Sequence, residues 1–132
     1  MDKFSKKIII IAAILAAMTI GIGAIGAHGL KQMVDVNALA SFETAVRYQM
    51  YHVIGLLVIG VATGIPESTK KWVSRFFYFG LIFFSGSIYV LALKEVHGIE
   101  VGFLGPITPI GGFLLILGWL RLGYGLLTKK QG

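Results

Sequence analysis

The side chains able to do chemistry crowd into one stretch, S-F-E-T-A-V-R-Y-Q-M-Y-H, Ser41 to His52, which runs straight into the apolar V-I-G-L-L-V-I-G-V-A. A carboxylate, a guanidinium, an amide, phenols and an imidazole at the mouth of a hydrophobic run have two uses. They can bind something polar: a lipid headgroup, a quinone ring or a proton. They can also anchor a helix end, with Tyr48 and Tyr51 as interfacial aromatics. Glu43 and Arg47 stand at i, i+4 with the acid first, a helical ion pair worth about 0.3 kcal/mol. Both uses stay open on the residues alone, because polar groups near an interface cost less than at the middle of a bilayer.

Few other patterns carry chemistry. His28, His52 and His97 fall on separate elements, with no H-x-x-x-H and no clustered acids, so neither a metal nor a haem is expected. No Ser-His-acid set, Walker loop or G-x-G-x-x-G between strand and helix occurs, so no catalytic residue and no cofactor is expected. G-I-G-A-I-G, Gly21 to Gly26, lies inside an apolar run with no strand before it, and helix packing accounts for it.

The elements that must position these groups follow from composition. The 132 residues suffice for one domain, 56% are hydrophobic, only 14% are charged, and the mean hydropathy is +0.83. Cysteine is absent, which removes disulfides, thiolate metal sites and lipoprotein anchoring. The net charge of +6 comes from short basic clusters at the ends of apolar runs and not from one aromatic-studded face, so nucleic acid is not an expected partner.

Four runs are long enough to cross a hydrocarbon core of about 30 Å. They lie near residues 8–27, 48–65, 72–93 and 109–127. The first follows M-D-K-F-S-K-K but exceeds a secretory h-region and lacks a good cleavage site, so it is read as an uncleaved span. Lys3, Lys6, Lys7, Lys70, Lys71, Arg75, Arg121, Lys129 and Lys130 fall on one side; Lys31, Arg47 and Lys94 fall on the other. That bias predicts a multi-pass plasma (inner) membrane protein with both termini cytoplasmic. Membrane lipids are the expected partners, with a membrane-protein partner or a homo-oligomer as further options.

Asn37 or Asp35 is expected to cap a short amphipathic helix between the first and second spans, bearing Leu39, Phe42 and Val46, which bends or runs directly into the second span. Tyr48, Tyr51 and His52 would then lie at headgroup level on the outer side, with Gln49, Tyr89 and Thr108 nearby. Thr108 as N-cap and Pro109 at the first helical position open the fourth span, leaving 98–107 as an apolar connector that dips into the interface. Small residues pack helices in lipid. Ala13, Ala17 and Gly21 form one row, Gly60 and Gly64 a G-x-x-x-G read as intramolecular, and Gly80, Ser85-Gly86-Ser87, Gly111, Gly112 and Gly118 supply the rest.

G-A-I-G-A-H-G-L, F-E-T-A-V-R-Y-Q-M-Y-H, F-S-G-S-I-Y-V-L-A-L and G-P-I-T-P-I-G-G, in this order over nearly the whole chain, resemble the domain-of-unknown-function 423 family. The resemblance implies a small integral protein of a bacterial plasma membrane and brings no established activity or catalytic residue. Its motif positions here include His28, Glu43, Arg47, Tyr48, His52, Ser85, Tyr89, Thr108 and Pro109. The expectation is therefore an all-α, four-helix integral membrane bundle, non-enzymatic. Its outer polar cluster (His28, Glu43, Arg47, Tyr48, His52, Ser85, Tyr89, Thr108) either stabilises the bundle or binds a lipid or partner. The alternative is a quinone- or lipid-linked binding or redox component, or a small carrier.

Overall fold

The computed structural model describes residues 1–129, so Lys130 of the basic C-terminal cluster lies outside the described residues. Asp2 caps the first helix, α1 (Lys3–His28), accepting from the Ser5 amide at 3.2 Å. A 3₁₀ turn, Leu30–Gln32, reverses the chain. Asp35 then caps α2 (Val36–Val61), its Oδ1 accepting from the Ala38 amide at 2.7 Å. α3 (Glu67–Leu81) passes through a π-helical segment, Ile82–Gly86, into α4 (Ser87–Ala92). The short α5 (Lys94–His97) stops at Gly98, whose φ of 67° is the left-handed conformation that glycine adopts without strain. After a second 3₁₀ turn, Gly102–Leu104, comes α6 (Ile107–Leu127).

Among the described residues four stretches are long and apolar enough to cross a membrane: Lys3–His28, Val36–Val61, Glu67–Ala92 and Gly102–Leu127. The amphipathic segment from Asn37 runs without a break into the second of them. Nothing interrupts it, since Asp35 supplies the cap and no proline or glycine follows until Gly55. This moves the helix start three turns ahead of residue 48. Tyr48, Gln49 and His52 consequently sit near the middle of a 26-residue helix, about 20 Å from its start.

α1 packs on α2 and α6 packs on α3, with α2 and α3 at the centre. The core is Ile8, Ala12, Val53, Leu56, Ile59, Val73, Phe77, Leu81 and Leu115. A second cluster, Leu30, Val34, Phe42 and Ala92, closes the end opposite the termini. Large apolar side chains also cover the outside, among them Ile14, Ile54, Val58, Phe79, Phe113 and Leu120, as lipid contact requires.

The buried face of α1 is Ser5, Ile8, Ala12, Thr19 and Gly26, whereas Ala13, Ala17 and Gly21 point outward. The small-residue row read from the sequence is therefore not the packing row. Polar Ser5 and Thr19 have partners on the other face, and that decides which side turns inward. Gly60 does admit Ile8 and Ile9 of α1, but α2 ends at Val61, so Gly64 belongs to the following loop and the pair forms no helical motif. Gly111 is a true close approach: a Cβ there would strike the backbone of Phe83 and Phe84.

Candidate functional site

The polar side chains that reach the interior come from all four long helices. Thr19 enters from α1, and its hydroxyl donates to the Leu15 carbonyl at 2.6 Å, the normal way for threonine to sit in an apolar helix. Gln49, on α2, donates from Nε2 to the Thr19 hydroxyl at 2.7 Å. Its Oε1 accepts from the Tyr89 hydroxyl of α4, also at 2.7 Å. One amide thus ties three helices near mid-bundle. The Tyr89 ring lies 5.1 Å from that of Phe42, which holds it against α2.

His52, one turn further along α2, makes a second tie. Trp119 of α6 donates from Nε1 to His52 Nε2 at 3.0 Å. An indole nitrogen can only donate, so Nε2 must present its lone pair. The proton then sits on Nδ1, which donates to the Tyr48 carbonyl at 2.7 Å. The imidazole is neutral in this arrangement, with both nitrogens engaged, and it packs edge-on against Phe77 at 5.0 Å.

The π-helical segment adds the third set. It lets Ser85 face α2, donating to the Ala45 carbonyl at 2.8 Å. Ser87, just beyond, faces α6 and shares a hydrogen bond with the Thr108 hydroxyl at 2.6 Å. Thr108 is thus a tether and not the expected N-cap; α6 starts at Ile107, two residues before the expected Pro109, with no side-chain cap. A π turn widens the helix by one residue per turn, which is what allows the two serines to address different neighbours.

The other predicted residues do not join. His28 is exposed and turns back to the Ala24 carbonyl, 3.0 Å away. Glu43 and Arg47 are exposed and form no ion pair with each other; Arg47 donates to Thr44 Oγ1 at 3.1 Å instead. Tyr48 stands on the outside, its ring 5.0 Å from that of Phe84. So the structure links His52 to Trp119, Tyr89 to Gln49, Ser85 to α2 and Thr108 to Ser87, and leaves His28, Glu43, Arg47 and Tyr48 outside. Thr19, Trp119 and Ser87 are absent from the set read from the sequence, and Gln49 stood there only as a neighbour. Their one signal is that each is a hydrogen-bonding group inside an apolar run, which does not say whether it faces lipid or a neighbour.

Chemically this interior is closed. Among the described residues every buried side-chain nitrogen and oxygen has a hydrogen-bond partner. Two apolar grooves flank it. One, about 420 Å³, runs between α1 and α3 over Gln49, Tyr78 and Tyr89. The other, about 580 Å³, lies between α2 and α6 over Tyr48, His52, Phe84 and Trp119.

At the end that holds the termini, Lys70 is buried in the first turn of α3, where a loop position was expected. Its Nζ donates to Ser5 Oγ at 3.0 Å and to the Gly60 carbonyl at 3.3 Å, joining α1, α2 and α3 at the negative end of the α2 dipole.

The family model described as "Protein of unknown function (DUF423)" matches residues 22–112, which hold most of these ties. This chain belongs to that family. It is 46% identical over 120 residues to a UPF0382 membrane protein of Staphylococcus saprophyticus, covering 91% of this chain and 96% of the relative. It is 47% identical over 117 residues to one of Staphylococcus epidermidis, covering 89% and 92%. No solved structure matches the chain. The DUF423 chain is thus a small helical membrane protein, and the names of its relatives carry no activity.

Proposed function

We propose that this DUF423 protein acts without catalysis, as a hydrogen-bonded four-helix platform that offers its outer surface to lipids and membrane partners. We place it in the cell membrane with both termini cytoplasmic, on the strength of the basic residues at the terminal end of the bundle. The observation that carries the reading is the closed interior: the Thr19–Gln49–Tyr89 and His52–Trp119 ties use up the polar groups that a catalytic or transport site would need free. A carrier would hold an ionisable group open to its pathway. Here the ionisable side chains tied into mid-bundle are engaged, His52 on both nitrogens and Tyr89 through its hydroxyl.

A second reading has one observation behind it. The groove over Tyr48, His52 and Trp119 is large enough for a quinone ring or an acyl chain, and the Tyr48 hydroxyl beside it has no hydrogen-bond partner among the described residues. Purified protein carrying His52→Ala or Tyr48→Phe separates the two. The platform reading expects His52→Ala to lower thermal stability, with the lipids seen by native mass spectrometry unchanged in both variants. Full stability together with loss of a specific bound quinone or lipid would overturn it in favour of the second.

A further inference from the structure

One face of α2 is left uncovered between α1 and α6, and its upper half is polar. Ala40, Glu43, Arg47 and Tyr51 are exposed along it at helical spacing, with half-exposed Thr44 among them. Below Tyr51 the same face turns apolar, at Ile54, Val58 and Val61. The polar half lies within a helix long and apolar enough to span a membrane. Charged and hydroxyl groups that reach hydrocarbon are costly unless they pair. Yet Glu43 makes no ion pair or side-chain hydrogen bond among the described residues, where the one salt bridge is Lys94–Glu100 at 3.7 Å. Arg47, with five donors, uses one, to Thr44. The Tyr51 hydroxyl is likewise unpartnered, its ring 5.8 Å from that of Tyr48.

We propose that this face docks on the same face of a second copy of the chain, Glu43 of each copy pairing with Arg47 of the other. The stripe carries one negative and one positive side chain, a turn apart. Copies inserted the same way are related by a twofold axis along the membrane normal, so the two α2 helices run side by side. Glu43 of each copy then reaches one turn along to Arg47 of the other, residue i meeting j and j meeting i. A foreign partner would call for no such balance. Ala40 and Thr44, small and one turn apart beside the charges, let two backbones come close, as helix pairs in lipid require. The second copy supplies what the monomer lacks: a counter-ion for each charge and cover for the Tyr51 hydroxyl.

The chain has no cysteine, so Ala40→Cys introduces its sole thiol. Oxidation in native membranes should then give a covalent species of twice the 14.3 kDa chain mass. Ile110→Cys, exposed on α6 away from this face, should give little. In the Ala40→Cys background, Glu43→Arg or Arg47→Glu alone puts like charges together and should cut crosslinking about tenfold. The double reversal restores opposite charges and should return it to within about twofold of the parent. Both positions are exposed, so the thermal stability of the detergent-solubilised chain should not move with the charge. Equal crosslinking at Ile110, a product of any other mass, or a double reversal no better than the singles would each overturn the proposal.

Discussion

Gln49 is the residue on which the interior argument can be tested most directly. Gln49→Leu keeps the volume of the side chain and removes both of its hydrogen bonds, to Thr19 and from Tyr89, each 2.7 Å long. Thr19 keeps its bond to the Leu15 carbonyl, so it is not stranded. Tyr89 is: its hydroxyl is left over an apolar groove with no acceptor. Interhelical hydrogen bonds in membranes are worth about 0.6 kcal/mol on average and up to about 1.7. Two of them, with a stranded phenol, give an expected loss of about 1–3 kcal/mol. Tyr89→Phe should then rescue part of it, since replacing both partners by apolar groups leaves nothing unpaired. The double variant should therefore cost less than the sum of the two singles by about 1 kcal/mol. Reversible denaturation by sodium dodecyl sulfate in mixed micelles, followed by tryptophan fluorescence, reads these differences. A Gln49→Leu cost below about 0.5 kcal/mol, or strict additivity, would refute the view that this amide ties the helices.

Two further outcomes follow from the geometry. Gly111→Ala puts a methyl group into the backbone of Phe83 and Phe84 and should cost about 3 kcal/mol or more, whereas Gly21→Ala and Gly123→Ala meet nothing within 4 Å and should be neutral or stabilising by up to about 1 kcal/mol; thermal melts in detergent compare the three. The hydrogen bonds of Ser5 to Asp2 hold the Asp2 carboxyl below its ordinary value of 3.8, so the cap is present above that pH and is lost as pH falls through the lower folded value. The start of α1 should accordingly fray by NMR only as the pH falls below 3.8, and Asp2→Asn should remove that pH dependence.

How much was legible in the sequence varies from element to element. Asp35 as the cap of α2 was readable, because a carboxylate before an apolar-periodic run has one favoured use. The run-on of the amphipathic segment into the second span was one of two readings, since periodicity shows a helix but not whether it bends. The start of α6 was misplaced by the same kind of local reasoning: Thr108 followed by proline looks like a cap, but the Ser87 hydroxyl of α4 competes for the threonine and wins. Ala13, Ala17 and Gly21 look like a packing row for the same reason that Ala12 and Gly26 are one: both rows have small residues at helical spacing. Only the partners of Ser5 and Thr19, on α3 and α2, pick between the two faces.

By itself, then, the sequence determined the solvent and the number of spans: apolar runs of membrane-spanning length admit only helices, because hydrocarbon offers no partner to an open backbone. The tertiary structure alone decided which polar groups are tied and which are left outward. That choice depends on the register between helices remote in the chain, on Thr19 meeting Gln49 and His52 meeting Trp119, and on a π turn that no local pattern announces. Hydrogen bonds act over about 3 Å, and only the folded bundle brings such groups within that reach.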